Sequence, residues 1–120
     1  MLSGALFAII EEAGAAVLIL TEEVEREEFL ASRLTRAEAR RQLLVMADML
    51  AEVGAGTRQR MPELEWAGWQ AMARALRGED ANPDNADEAL WFAIRSLVPA
   101  TVMWLRVYRK SQPELFSFIV

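Results

Sequence analysis

Arg74 and Arg77 stand three residues apart, and Glu79, Asp80 and Asn82 follow them within one short stretch. At that spacing two guanidinium groups lie side by side on a helix surface. Guanidiniums donate in a fixed fork that suits phosphate oxygens, so the pair points to a phosphodiester or a similar anion. Glu79 or Asp80 could take a proton, but each would also set negative charge beside an anionic substrate. Asn82 lies five residues after Arg77; its amide can hydrogen-bond a phosphate or a base edge but cannot exchange a proton near neutral pH. The chain has no histidine and no cysteine. That removes the usual general base, every Ser-His or Cys-His nucleophile pair, and thiolate ligands and disulfides together.

The element that must position these residues is the 62–80 stretch. It reads as a loop entering an amphipathic helix, with Trp66, Trp69, Met72, Ala73 and Leu76 on one apolar face. Those residues as such are core material. Gly78 to Asn85 follows as a turn-rich, acidic segment.

The remaining elements are helical by the same criteria. Leu2 to about Val24 is expected to be one long helix, apolar nearly all round from Ala13 to Leu20. A helix of that kind must be covered on every side, which marks Phe7, Leu18 and Ile19 as candidates for a subunit interface, with a central core helix as the alternative. Glu11 and Glu12 interrupt the apolar run, no basic segment precedes it, and neither half is long enough to span a bilayer, so a cytoplasmic protein without membrane contact is expected. Thr21 to Glu28 is an acidic connector, and Phe29 and Leu30 should tuck it onto the core. Nothing there fixes the geometry of a cation site, and no metal or cofactor is expected.

Thr35 and Glu38 fit a capping box that opens a second long helix running to about Val53, with Gly54 as a left-handed cap. Arg33, Arg36, Arg40 and Arg41 make the start of that helix basic, either as an ordinary solvated face or as a surface for phosphates or an acidic partner. Asp84 or Asn85 should cap a later helix whose apolar face holds Leu90, Trp91, Ile94, Leu97 and Val98. Pro99 should kink that helix or open a new one. Ala100 to Arg109, with Val102, Met103, Leu105 and Val107 apolar, forms the last helix, and Pro113 stops it before an apolar tail.

At 120 residues, with 53 % hydrophobic residues and only four prolines, the chain 1–120 is expected to be one all-α domain, an antiparallel four- to five-helix up-and-down bundle. Its formal charge of −5 opposes nonspecific nucleic-acid binding by the domain as a whole, so any RNA contact must be local.

The ordered pieces resemble the HEPN superfamily, in particular the HepT-like group also called DUF86. The features are the long first helix, Glu27-Glu28-Phe29-Leu30-Ala31-Ser32, the Thr35 to Gly54 helix with Gln42-Leu43-Leu44, Pro62-Glu63-Leu64-Glu65-Trp66 leading into Ala71-Met72, and Leu90-Trp91 ahead of Pro99. The resemblance implies a helical bundle, a homodimer, and a minimal nucleotidyltransferase partner in a toxin-antitoxin module. Active members of the family are metal-independent ribonucleases with an Arg-x4-6-His motif, often followed by x-Tyr. Aligned from Trp66 without gaps, the Arg column falls on Ala73, the His column on Gly78 and the Tyr column on Asp80. What the resemblance implies here is therefore a degenerate ribonuclease motif, with Arg74, Arg77, Glu79, Asp80 and Asn82 as its candidate remnants. The expected role is non-catalytic; the rival is an endoribonuclease with a rearranged Arg/acidic site.

Overall fold

The computed structural model describes residues 3–78 and 83–117, and its first helix, α1, runs from Ser3 to Leu20. It buries Leu6, Phe7, Ile10, Ala13 and Val17. Its neighbours are α3 (Arg33–Ala51) on one side and α7 (Val98–Ser111) on the other. The pinch point is Gly14, where an added Cβ would lie 2.9 Å from Val102 Cγ2 and 3.3 Å from the Met46 Cε. Gly4 plays the same part near the start of the helix, because a Cβ there would lie 2.8 Å from the Phe116 carbonyl oxygen. A single hydrogen side chain at each position is what lets these elements close on α1.

The other elements are α2 (Arg26–Ala31), α4 (Ala55–Gln59), α5 (Trp66–Leu76) and α6 (Pro83–Phe92). A π-helical segment, Ala93–Leu97, joins α6 to α7, and a 3-10 turn, Pro113–Phe116, follows. Among the described residues there is no strand, and the protein is an all-α bundle. Its long rods are α1, α3, α5 and the continuous run from α6 through α7, while α2 and α4 are short additions. The chain closes on itself where Leu115 and Phe116 bury against α1, with the Phe7 and Phe116 rings 4.9 Å apart.

Several local expectations are corrected. α1 ends at Leu20, where the Thr21 hydroxyl donates to the Val17 carbonyl oxygen at 2.8 Å and Glu23 turns to φ 58°. Phe7 is fully buried, so of the three interface candidates it is core; Leu18 is half-buried, and Ile19 alone stays open, 73 % exposed. The cap of α3 is Ser32, not Thr35. Its Oγ accepts from the Thr35 backbone N–H at 3.3 Å, and Glu38 binds Arg41 and Gln42 instead of closing a capping box. Gly54 sits at φ −67°, an extended residue ahead of α4 and not a left-handed cap.

α6 begins at Pro83, which places 84 and 85 inside the helix and not at its cap. Pro99 stands in the first turn of α7, so the expected new helix opens there. It has no N–H for the carbonyl four residues back, and the preceding turn widens into the π segment. On α7 the apolar spacing misleads at two positions: Met103 and Val107 are 46 % and 42 % exposed, while Thr101 and Tyr108 take the buried places.

By length and composition, Ser3–Leu20 and Ala86–Ser111 are apolar enough to cross a membrane, against the expectation that the first run is too short. α1 runs unbroken through Glu11 and Glu12, as expected of one long helix, and its mean hydropathy over 18 residues is 1.8 with both acids counted. In this fold each stretch lays one face into the core.

Candidate functional site

The position of α5 follows from its two indoles. Trp69, 2 % exposed, donates from Nε1 to the Thr101 hydroxyl at 3.0 Å and so fastens α5 to α7. Trp66 is half-buried and donates from Nε1 to the Met61 carbonyl oxygen at 3.0 Å. With Trp69, Met72, Ala73 and Leu76 turned inward, Gln70, Arg74 and Arg77 recur at four- and three-residue steps on the outward side. The expected apolar face of this helix is the observed one, with Trp66 at its edge.

Between this side of α5 and the end of α3 lies a cavity of about 300 Å³. Leu50, Ala47, Ala73 and the two indoles form its apolar wall, and Asp48, Arg58, Gln70, Arg74 and Arg77 supply its polar groups. Arg77 Nη2 donates to Asp48 Oδ1 at 2.5 Å. Arg58 reaches back from α4 to the carbonyl oxygen of Ala51 at 3.1 Å, a free acceptor at the end of α3, and to that of Val53, just past the helix, at 3.0 Å. Its guanidinium carbon lies 5.0 Å from the centre of the Trp66 ring. The Arg74 guanidinium has neither a hydrogen-bond nor an ion-pair partner among the described residues.

A second hollow, of about 260 Å³, continues the basic lining towards the start of α3. Arg33, Arg36 and Arg40 line it with Leu76, Leu90 and Asp87. Arg40 donates from Nε to the Leu76 carbonyl oxygen at 3.1 Å, filling an acceptor at the C-terminal end of α5. Arg41, the fourth member of the expected basic cluster, points elsewhere and pairs with Glu38 at 2.6 Å. The hydrogen bonds from Arg41 and then Gln42 hold the Glu38 carboxyl below its ordinary range.

The structure thus brings Arg74 and Arg77 to one cavity wall, as their spacing predicts. Glu79, Asp80 and Asn82 lie outside the described residues. Three groups had escaped sequence reasoning: Arg58, Asp48 and Gln70. Asp48 carries a weak signal, a charge inside the otherwise apolar 43–50 run. Arg58 carries none, since its place is set by the turn between α3 and α4.

Chemically, the cavity offers guanidinium donors, an apolar wall and one carboxylate already tied to Arg77. That is equipment for holding an anion with an apolar part. Among the described residues no three His, Cys, Asp or Glu side chains gather as a metal site would need. Comparison with protein-family models, curated proteins and solved structures gave no match to this chain.

Proposed function

We propose that this chain is a HepT-like (HEPN) protein that acts in the cytoplasm as a non-catalytic homodimer, binding a minimal nucleotidyltransferase-like partner in a toxin-antitoxin type module. The observation that carries the reading is the pairing of a retained arginine face with a missing proton-transfer group. Arg74 and Arg77 line a cavity, yet the chain holds no histidine, and Asp48 in that cavity is bound to Arg77. General acid–base cleavage of RNA needs a group that gives and takes a proton near neutral pH. The homodimer draws support from α1, where Ala8, Ala15 and Ile19 lie exposed on one stripe broken only by Glu12. An apolar stripe of that kind is suited to burial against a second copy.

The test is co-purification with the product of the neighbouring reading frame, where that is a minimal nucleotidyltransferase, together with the solution mass of the chain alone. A complex at micromolar concentration and twice the 13.5 kDa chain mass are expected. No complex, or a monomer, sinks the corresponding half of the proposal.

The competing reading is a ribonuclease that uses Arg74 and Arg77 for phosphate and Glu79 or Asp80 for proton transfer. The Arg74 guanidinium, unpaired among the described residues, is what favours it. Incubation of the purified protein with RNA decides between them: cleavage that disappears in Arg74→Ala/Arg77→Ala would replace the non-catalytic reading.

A further inference from the structure

The two hollows follow one another along the same side of α3, with Arg40 bonded to the Leu76 carbonyl oxygen between them. Arg33, Ala37, Arg40, Ala47 and Ala51 recur at helical three- and four-residue multiples along the same side of α3, and Leu76 and Arg77 carry α5 past both. At 1.5 Å per residue, the α3 border from Arg33 to Ala51 is about 27 Å long. The charge along it is out of proportion to the rest of the molecule. Among the described residues, six basic side chains line it against two acidic ones, Asp48 and Asp87. A protein of net charge −5 has therefore gathered nearly half of its cations along the seam between α3 and the elements that follow it, three on α3 itself and three on α4 and at α5. The guanidinium groups of three of them, Arg33, Arg36 and Arg74, have no hydrogen-bond or ion-pair partner among the described residues.

We infer that the two hollows make one groove, the docking surface for an extended acidic segment of a protein partner, with one apolar side chain seated in the cavity beside Trp66 and Trp69. Charge complementarity selects an anionic occupant. The apolar wall of the 300 Å³ cavity selects a side chain of leucine or phenylalanine type over a bare phosphate chain. Single-stranded RNA is the less suited polyanion, because stacking needs an open aromatic face. Here Trp69 is buried, and the Trp66 ring is covered by Arg58. An extended peptide advances about 3.3 Å per residue, so about eight residues fill the groove. The proposal rests on the partner-binding reading above and adds to it the site and the chemistry of the bound segment.

The probe is a pool of fluorescein-labelled peptides of about eight residues, with Glu and Asp positions around a central Leu or Phe, compared with a pool carrying Lys in place of the acids. Fluorescence anisotropy with the full-length chain should show binding of the acidic pool, weakening as salt rises, and no binding of the basic pool. Arg33→Glu/Arg36→Glu/Arg74→Glu should weaken the acidic pool by about a hundredfold, taking about 1 kcal/mol or slightly less for each charge. Circular dichroism checks that this variant is folded, and Arg33→Ala/Arg36→Ala/Arg74→Ala serves if it is not. Equal binding of both pools, binding that survives these changes, or capture of an oligouridine by the same arginines without any acidic peptide each overturns the inference. So does the absence of any binding. If the nucleotidyltransferase-like partner binds wild type and triple variant alike, the groove assignment fails while the partner-binding reading stands. If the acidic pool binds and no such partner does, the reverse holds.

Discussion

The two sides of α3 are built from one helix and end up unlike each other. Towards α1, α3 contributes Met46 to a contact closed by Gly14, and the space is filled by side chains that are almost all fully buried. Towards α5, the spacers are two tryptophans, and the gap they hold open is lined by guanidinium groups. Small residues let helices approach until the core is dry; bulky rings hold them apart and leave a space that polar groups can enter. The dry side makes the fold, and the open side is the one where chemistry has room.

Trp69 belongs to both, and its removal should have the largest effect. Trp69→Ala deletes a buried indole and leaves the Thr101 hydroxyl without its partner, so a loss of about 3–5 kcal/mol is expected in urea unfolding. A loss below about 1 kcal/mol would mean that α5 is not anchored as described. Next comes Gly14→Leu, which forces bulk between Met46 and Val102 and should cost about 1–3 kcal/mol while leaving the groove side chains untouched. Reversing the charge at Arg33, Arg36 and Arg74 should do the opposite, leaving unfolding free energy within about 1 kcal/mol, since none of the three guanidinium groups has a polar partner to lose among the described residues. A variant that unfolds would show these arginines to be structural.

The same contrast explains what could be read from the chain beforehand. The dry side was legible because burial follows the helical repeat: Leu43, Met46, Ala47 and Leu50 on α3, and Trp69, Met72, Ala73 and Leu76 on α5, sit where the spacing puts them. Helix ends were less so. Ser32 and Thr35 can both cap, and the choice is made by where α2 stops; Gly54 can end a helix or begin one. The groove was half legible. Arg74 and Arg77 share a face by spacing alone, whereas Arg58 and Asp48 join them only through the turn after α3 and the tertiary contact of α3 with α5. Met103 and Val107 show the reverse error, apolar residues that face outward because α7 turns Thr101 and Tyr108 to the core. The Thr101 hydroxyl is satisfied there by Trp69, and the Tyr108 hydroxyl receives the Glu63 backbone N–H at 3.2 Å.

A smaller effect belongs to Arg77 and Asp48. Both side chains are about half exposed, so a double-mutant cycle with Arg77→Ala and Asp48→Ala should give a coupling of no more than about 1 kcal/mol. A larger coupling would show the pair to be a structural clamp and weaken the assignment of Arg77 to an open binding wall.

The smallest expected effect is one of pH, and it lies away from both sides of α3. Glu114, on the 3-10 turn that packs against α1, is held below the ordinary glutamate range by its own backbone N–H and by the Arg60 guanidinium. Glu38 is held low by Arg41 and Gln42 on the outer surface of α3. A carboxyl whose folded value is depressed binds its proton less readily in the folded chain than in the unfolded one. Its contribution is therefore complete above the unfolded value and lost as pH falls through the folded one. Both groups are open to solvent, so the loss should be slight. Glu114→Gln and Glu38→Gln should each lower stability slightly at neutral pH and converge on wild type below the ordinary glutamate range. If the variants instead differ most in acid, the ion pairs are not what depresses these carboxyls.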